Sequence, residues 1–283
     1  MNNPALQAYL SRLKSHLASS NLWLDEQGRA RGRYFNSSLT SAFQAIRSGY
    51  DRQVLAYEAY ARSYSVNDQG LNVWKLLEYA ANDDESVELD RLCRLLHTIN
   101  FYRQAGSAHL DLYLSVHSRL LAAVEGNHGM AFRRILDVLE LPHQHIVLQL
   151  PQITPSQRWV LTHVAENYRR NGFRIGVNAG NLEQAQDLLV RIRPDAIKID
   201  ISAANNSAAQ IQLLDQASRA DCNVIFRRIE NESRYQLLQQ ANDTVSSYQV
   251  QGFLFDLPQA SLVSAEHALS ATAGHIAQLT DLE

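Results

Sequence analysis

Short apolar runs alternate with longer helical patterns over most of the chain. The runs are LDLYLS at 110–115, IVLQL at 146–150, RIGVN at 174–178, AIKIDI at 196–201, VIFR at 224–227 and VQGFLF at 250–255. Runs of this length between polar turns are typical of buried strands. The segment 74–102 contains two helical patterns, and another is predicted by the apolar face of Leu182, Ala185, Leu188, Leu189 and Ile192. That last helix should end before Pro194, which cannot continue it.

Two apolar segments near residue 40 are expected to open this array as a hairpin. SAFQAIR at 41–47 and QVLAYEA at 53–59 flank the turn-like sequence SGYD at 48–51. Together the runs make eight strands that alternate mainly with helices, which favours a closed barrel over an open sheet. The predicted fold class is therefore α/β, a modified (β/α)8 barrel of the TIM type with one antiparallel strand.

The first residues predict an amphipathic helix ahead of the barrel. Leu6, Leu10, Leu13 and Leu17 are spaced by four, three and four residues. The polar sequence DEQGRARGR at 25–33 predicts a linker or loop. We expect an N-terminal helix and linker over 1–35 and a barrel domain over 36–283. The helix is interpreted as packing on the barrel, and the alternatives are a helix that forms a homodimer or a remnant of an upstream module.

Composition narrows the class of protein. Of 283 residues, 46% are hydrophobic and 19% are charged, which is enough apolar material for a core. The net charge of −3 gives no overall field that would attract nucleic acid or an anionic membrane. Cys93 and Cys222 have no paired spacing, which argues against a disulfide framework. No N-terminal segment resembles a signal peptide and no apolar run reaches 18 residues, so we expect a cytoplasmic protein without a membrane span.

Functional side chains in such barrels lie at the C-terminal ends of the strands. The polar residues at or near the predicted ends are Glu58, Ser115, Gln149, Asn178, Lys198, Asp200, Arg227, Glu230 and Gln251. They come from seven strands, as the residues of an active site do. The histidines at 97, 109, 117, 143 and 145 show no metal-ligand spacing with nearby carboxylates.

Seven motifs along the predicted barrel occur in a recognisable order. They are FQAI and YEAYAR at 43–62, LSVHSRLL at 114–121, LQLPQ at 148–152, IGVNAGN at 175–181, IKID at 197–200, FRRIEN at 226–231 and QGFLFDLP at 251–258. In this order and spacing they resemble the EAL domain, the family of cyclic-di-GMP phosphodiesterases. The resemblance covers about residues 40–260.

The resemblance implies where two catalytic divalent cations, magnesium or manganese, would bind. Two close cations stabilise the attacking hydroxide and the leaving oxygen, and they require several carboxylate oxygens. Glu58 matches a metal-binding Glu of the family. The Asn position carries Ser115, the second Glu is Gln149, the paired aspartates are Asn178 and Ala179, and the first Glu of the Glu-Gly-Val-Glu motif is Arg227.

These substitutions predict that the two-metal site is lost. Three negative positions are neutral, and at a fourth the sign is reversed. At an effective dielectric near 20, Arg227 at about 4 Å from a divalent cation would cost roughly 8 kcal/mol before screening. We therefore expect no metal, no other cofactor and no catalytic residue, so that the protein is a degenerate phosphodiesterase and not an enzyme.

The resemblance also implies which side chains would contact a ligand. Lys198 and Asp200 match its Lys-x-Asp motif, where the lysine lies near the attacking water, and Glu230 matches the second Glu of its motif. Arg62 matches an arginine that contacts a ligand phosphate, and Asp90 matches an acidic residue that recognises guanine. The expected ligand-binding set is Gln44, Glu58, Arg62, Asp90 and Gln251.

Each of these residues also has a structural interpretation. Arg62 and Asp90 would then be ordinary surface charges. Lys198 and Asp200 alternate with isoleucines, point into the barrel mouth and would pair there with Arg227 and Glu58. We specifically expect Arg227 to neutralise Glu58 across the mouth.

Three functions follow from this sequence. The first is a catalytically inactive regulator or receptor that binds cyclic-di-GMP without metal. The second is a protein–protein interaction module with a vestigial pocket and a protein partner, and the third, least favoured, is a working phosphodiesterase. Retention of Arg62 and Asp90 favours the first over the second.

Overall fold

Ten strands form one continuous mixed sheet, and eight of them close into a barrel. The computed structural model describes residues 3–15, 21–35, 37–64, 83–118, 128–152, 154, 158–242 and 247–263. The strands are β1 (Leu22–Leu24), β2 (Ala30–Tyr34), β3 (Ser37–Ser48), β4 (Val54–Tyr64), β5 (Asp111–Ser115), β6 (Ile146–Leu150), β7 (Arg174–Ala179), β8 (Ala196–Asp200), β9 (Asn223–Arg227) and β10 (Gln249–Val250). The helices within these ranges are α1 (Pro4–Ser15), α2 (Asp83–Tyr102), α3 (His128–Val138), α4 (Arg158–Arg170), α5 (Leu182–Ile192), α6 (Ser207–Arg219) and α7 (Glu232–Ala241).

The strand order confirms the predicted α/β barrel with one antiparallel strand. Strands β4 to β10 run parallel in sequence order, and β3 pairs antiparallel with both β4 and β10 to close the ring. The opening hairpin predicted from the sequence is β3–β4, although both strands are longer than expected. The last strand is shorter than expected, because only Gln249 and Val250 form a ladder and residues 251–255 of the VQGFLF run leave the sheet.

One edge of β3 forms the barrel seam, where three separate segments pair. Arg47 and Ser48 pair with β10, Phe43 forms a single bridge with Gln259, and residues 37–39 pair with β2. The opposite edge of β3 is paired with β4 over most of its length. The ring is therefore closed at this seam by a ladder only two residue pairs long.

The predicted linker over 25–33 is partly wrong, because its second half is strand β2. Ala30, Gly32 and Tyr34 are buried, while the alternating Arg31 and Arg33 face outward. An added Cβ at Gly32 would lie 2.9 Å from a methyl group of Leu92, so α2 packs directly on this strand. The tight turn between β1 and β2 is held by Asp25, which pairs with Arg29 and Arg31.

The helices cover the outside of the barrel. Leu6, Leu10 and Leu13 of α1 are buried in the main core, as the packing interpretation expects, while Leu17 lies outside the described residues. Helix α5 has the predicted bounds, since Asn181 caps its N-terminus and Arg193 adopts a left-handed conformation before Pro194. Of the segment 74–102, only the second helical pattern falls in the described part, as α2. No described helix is long and apolar enough to cross a membrane.

The interior of the barrel is layered. The lower layer is apolar and consists of Ile46, Ala56, Tyr113, Val147, Ala196 and Ile225. Side chains two positions apart on a strand face the same side, so the next layer toward the C-terminal rim lies two residues away on each strand. We call it the polar layer, and it consists of Gln44, Glu58, Ser115, Gln149, Asn178, Lys198 and Arg227.

Candidate functional site

The centre of the polar layer is a buried ion pair between Glu58 and Lys198. Glu58 Oε2 lies 3.0 Å from Lys198 Nζ. The same oxygen accepts hydrogen bonds from the Tyr60 hydroxyl at 2.6 Å and from Gln251 Nε2 at 2.9 Å. The Lys198 side chain is fully buried, and its ammonium lies 4.7 Å from the centroid of the Tyr113 ring. One carboxylate oxygen is therefore committed to three protein donors.

The local electrostatics favour the ionised form of Glu58. Burial by itself raises the pKa of Glu58, but the Lys198 ammonium and the hydrogen bonds from Tyr60, Lys198 and Gln251 outweigh it and hold the pKa below its ordinary value. Burial lowers the pKa of Lys198, and the Glu58 carboxylate partly offsets that effect. An ionised carboxylate that is paired with an ammonium in this way does not need a metal to neutralise it.

A second ion pair lies at the rim, between Arg227 and Asp200. Arg227 Nε is 2.5 Å from Asp200 Oδ1, and Arg228 Nη1 is 3.5 Å from Asp200 Oδ2. Asp200 and Arg227 are register partners on β8 and β9. The expected Arg227–Glu58 pair is therefore wrong, because Arg227 takes its adjacent strand partner while Lys198 neutralises Glu58. The pairing expected for Lys198 and Asp200 is observed, with Glu58 and Arg227 respectively, and their contacts with a ligand stay untested.

Uncharged side chains occupy the far side of the polar layer. Gln149 Nε2 donates to Asn178 Oδ1 at 3.0 Å, and Gln149 is buried. Its side chain occupies space above Gly176, where an added Cβ would lie 2.2 Å from Gln149 Oε1. Ser115 is half-buried beside Gln149 at the end of β5. Ala179 is buried in the main core instead, so of the paired-aspartate positions only the one at 178 belongs to the polar layer.

The donor set of this layer does not fit two divalent cations. Such cations need several free carboxylate oxygens. The carboxylates of Glu58 and Asp200 are both paired with cationic side chains, and the positions between them carry amides and a hydroxyl. Within the described ranges, no three His, Cys, Asp or Glu side chains come together as a metal site.

Gln44 and Gln251 connect the polar layer to the loop that follows β10. Gln44 Nε2 donates to the Asp256 carbonyl at 2.8 Å, and its Oε1 lies 3.3 Å from the Tyr60 hydroxyl, whose proton is donated to Glu58. Arg47 holds the same loop through its Nε, 2.6 Å from Asp256 Oδ2. The two glutamines expected to contact ligand are thus placed at the site, where they also support Glu58 and the loop.

The two remaining members of the expected ligand-binding set, Arg62 and Asp90, lie outside this network, as does Glu230, which was expected only as a retained family position. Arg62 is exposed near the end of β4, and Glu230 is exposed after β9. Asp90 is buried on α2, where it forms an ion pair with Arg94 and accepts the backbone N–H of His117. Asp90 is therefore not the surface charge that the structural interpretation expects. Ligand contacts by these residues stay predictions.

Two residues of the site escaped the sequence analysis. Tyr60 stands two positions after Glu58 on the same strand, so the period-two alternation was a signal for it. Arg228 reaches Asp200 because its backbone is left-handed, with φ of 61°, and no sequence signal indicates this conformation at an arginine.

Comparison with known protein families identifies the barrel. The model of the EAL domain matches residues 30–258, which is most of the chain. The chain belongs to the EAL domain family. The match begins at Ala30, the first residue of β2, so β2 lies within the matched domain and β1 lies ahead of it. No curated protein sequence matches the chain.

Several solved EAL structures share the fold at low sequence identity. The Bacillus subtilis YkuI protein, solved with cyclic-di-GMP and calcium, is 16% identical with a TM-score of 0.65, and the match covers 86% of this chain and 62% of YkuI. A standalone EAL protein from Vibrio cholerae, in its cyclic-di-GMP-bound form, is 18% identical with a TM-score of 0.59, covering 82% and 97% of the two chains. The BlrP1 protein of Klebsiella pneumoniae, solved with manganese and cyclic-di-GMP, is 18% identical with a TM-score of 0.60, covering 78% and 56%.

Proposed function

We propose that this EAL domain is catalytically inactive and acts as a receptor or regulator in bacterial cyclic-di-GMP signalling. The observation that carries the proposal is the polar layer itself, in which Gln149, Asn178 and Arg227 stand at positions where the family pattern has carboxylates. Family membership and the cyclic-di-GMP-bound neighbours supply the ligand class. A metal at Glu58 Oε2 would compete with the contacts that this oxygen makes with Lys198, Tyr60 and Gln251.

The charge balance of the site supports binding without metals. Within the polar layer, Gln149 and Asn178 each remove one negative charge relative to the ligand pattern of the family, and Arg227 reverses another. These changes add four positive charges, the number that two divalent cations would have supplied. The substituted rim therefore offers an anionic dinucleotide about as much positive charge as a metal-loaded site would.

Calorimetric titration with cyclic-di-GMP, with magnesium and with EDTA, tests the binding part of the proposal. We expect binding in both buffers. Chromatography of long incubations with magnesium or manganese tests the catalytic part, and we expect no linear dinucleotide above an enzyme-free blank. Product formed by the purified wild-type protein would contradict the inactive assignment, and absence of binding in both buffers would contradict the receptor assignment.

Restoring a single ligand should not restore hydrolysis. Residues that act as a unit in catalysis are strongly non-additive. In Gln149→Glu, the new carboxylate would still share the layer with Lys198 and Arg227, which oppose the binding of a cation. Turnover by this single variant in the same chromatographic assay would show that the metal assignment is wrong.

A protein–protein interaction module is the second candidate. It is favoured by apolar side chains exposed on the outer helices, including Trp159 of α4 and Val190 of α5, which are 69% and 73% exposed. In that case cyclic-di-GMP would not bind in either buffer. A working phosphodiesterase is the least supported function, because it requires the carboxylates that the polar layer lacks.

A further inference from the structure

The guanidinium of Arg227 is only partly used by the protein. Its Nε is 2.5 Å from Asp200 Oδ1, and its side chain is 32% exposed at the rim of the barrel. Within the described residues no hydrogen bond is formed by its two terminal nitrogens, Nη1 and Nη2. These two nitrogens are the outer pair of donors of a planar fork, which matches the oxygens of a phosphate group.

Asp200 fixes the orientation of that fork without cancelling the positive charge of the rim. Arg227 contacts one of its carboxylate oxygens and Arg228 approaches the other at 3.5 Å. Consecutive residues of a strand would point to opposite sides, but the left-handed backbone of Arg228 turns its side chain back toward the same carboxylate. The three side chains together carry one net positive charge. Glu230, two residues on, is exposed and contacts neither guanidinium in the described part of the chain.

The rest of the polar layer leaves this charge available. Lys198 and Glu58 neutralise each other, and Ser115, Gln149 and Asn178 carry no charge. No unpaired carboxylate of the layer therefore competes with an incoming anion for Arg227. A partly exposed, oriented guanidinium in such surroundings is an anion site that needs no metal.

We propose that Arg227 binds a phosphate group of the ligand directly, through Nη1 and Nη2, and that Asp200 is the positioning residue that holds the fork in place. The inference deepens the proposed receptor function and rests on it for the identity of the dinucleotide. The receptor function names only the ligand, whereas this inference assigns the recognition of its phosphate to one side chain, at a position where metal ligation is lost.

Titration calorimetry of cyclic-di-GMP in EDTA tests the assignment with Arg227→Gln. One charge-assisted bidentate contact contributes about 1.5–3 kcal/mol, so the dissociation constant should rise about 10–100-fold. The control is Arg219→Gln, because Arg219 is an exposed arginine at the C-terminal end of α6. It pairs with Asp215 one turn earlier on the same helix. This control variant should leave affinity unchanged. Magnesium should not tighten binding to the wild type, and a magnesium requirement would overturn the inference.

The positioning role of Asp200 has a separate readout. In Asp200→Asn the charge of Arg227 is kept but its strongest anchor is lost, so affinity should fall by less than in Arg227→Gln. The phosphorus resonance of the bound dinucleotide should still shift from its free position in Asp200→Asn, and that shift should disappear in Arg227→Gln. An unchanged shift in Arg227→Gln would refute direct contact with phosphate.

The outcomes separate this inference from the receptor function. If the wild type binds the dinucleotide and Arg227→Gln binds it equally well, the inference fails and the receptor function stands. If the wild type does not bind the dinucleotide, the receptor function fails, and inorganic phosphate becomes the probe. Phosphate binding that depends on Arg227 would support the anion site. Any other result would overturn the anion site. If Arg227→Gln does not fold, Arg227→Lys replaces it, since lysine keeps the charge but lacks the fork, and equal affinity in that variant overturns the inference.

Discussion

Replacing Lys198 by methionine should destabilise the barrel far more than replacing any exposed cation. The substitution keeps an unbranched apolar stem and removes the ammonium, which leaves the Glu58 carboxylate buried with only Tyr60 and Gln251 as donors. Breaking a buried ion pair by removing one partner costs about 3–5 kcal/mol, because the remaining charge is uncompensated. We expect the free energy of unfolding to fall by that amount at pH 7.

The double variant tests whether the loss comes from the stranded charge. Glu58→Gln alone leaves the Lys198 ammonium buried without its carboxylate, so it should also destabilise. When both changes are combined, neither charge remains. The double variant should therefore lose about 1–3 kcal/mol less unfolding free energy than the sum of the two single losses. The matched control is Arg219→Met, which breaks an exposed pair with Asp215 and should cost under about 1 kcal/mol.

Urea unfolding followed by tryptophan fluorescence and circular dichroism measures these differences. The pKa of Glu58 is held below its ordinary value, so the stability it contributes is complete above the unfolded pKa of about 4.3 and is lost as the pH falls through the lower folded value. The comparison therefore belongs at pH 7. A cost below about 1 kcal/mol for Lys198→Met, or strict additivity in the double variant, would refute the coupling between the two residues.

Two further predictions concern stability. Burial lowers the pKa of His97 to about 3, against about 6.5 when unfolded. Because the unfolded chain then binds a proton that the folded chain does not, the free energy of unfolding should fall by about 2 kcal/mol from pH 7 to pH 5. Urea unfolding of His97→Gln should lack that loss, whereas the variant His109→Gln, at an exposed histidine, should keep it. An added Cβ at Gly252 would lie 2.0 Å from the carbonyl oxygen of Ile229, so Gly252→Ala should lower the unfolding free energy by about 1–3 kcal/mol. Gly176→Ala, which meets only a side-chain end, should cost less, and equal costs in urea titrations would contradict the backbone clash.

Hydrophobic periodicity in the sequence is sufficient to predict the barrel and to predict which polar side chains point into its mouth. Lys198 and Asp200 alternate with isoleucines that are fully buried in the main core, so both were placed correctly in the mouth. Strand β2 was missed because its outward positions are arginines and one inward position is Gly32, which leaves little apolar contrast. A short polar strand of this kind is recognised only through the helix that packs on it.

The partners of the charged residues could not be derived from the sequence. Whether Glu58 meets Lys198 or Arg227 depends on the depth of each residue in the barrel and on the stagger between strands, and neither is encoded locally. Asp90 is different, because Arg94 follows four residues later on a predicted helix, and that spacing is a signal for an ion pair.

The short seam of the barrel has a consequence for how the site stays intact. Only two residue pairs join β10 to β3, so the ring can open there at a lower free energy than between its longer ladders, and its amides should exchange with solvent earlier than those of β6 and β7. Much of the closure depends on side chains instead, namely the Arg47–Asp256 ion pair and the hydrogen bond from Gln44 to the same residue. Because Gln251 follows directly after β10, each such opening would also take a donor away from Glu58. Ligand binding in the mouth and local opening of the seam are thereby coupled. A ligand that fixes Gln251 and Glu58 in place should slow amide hydrogen exchange in the β3–β10 ladder, although it does not contact that ladder.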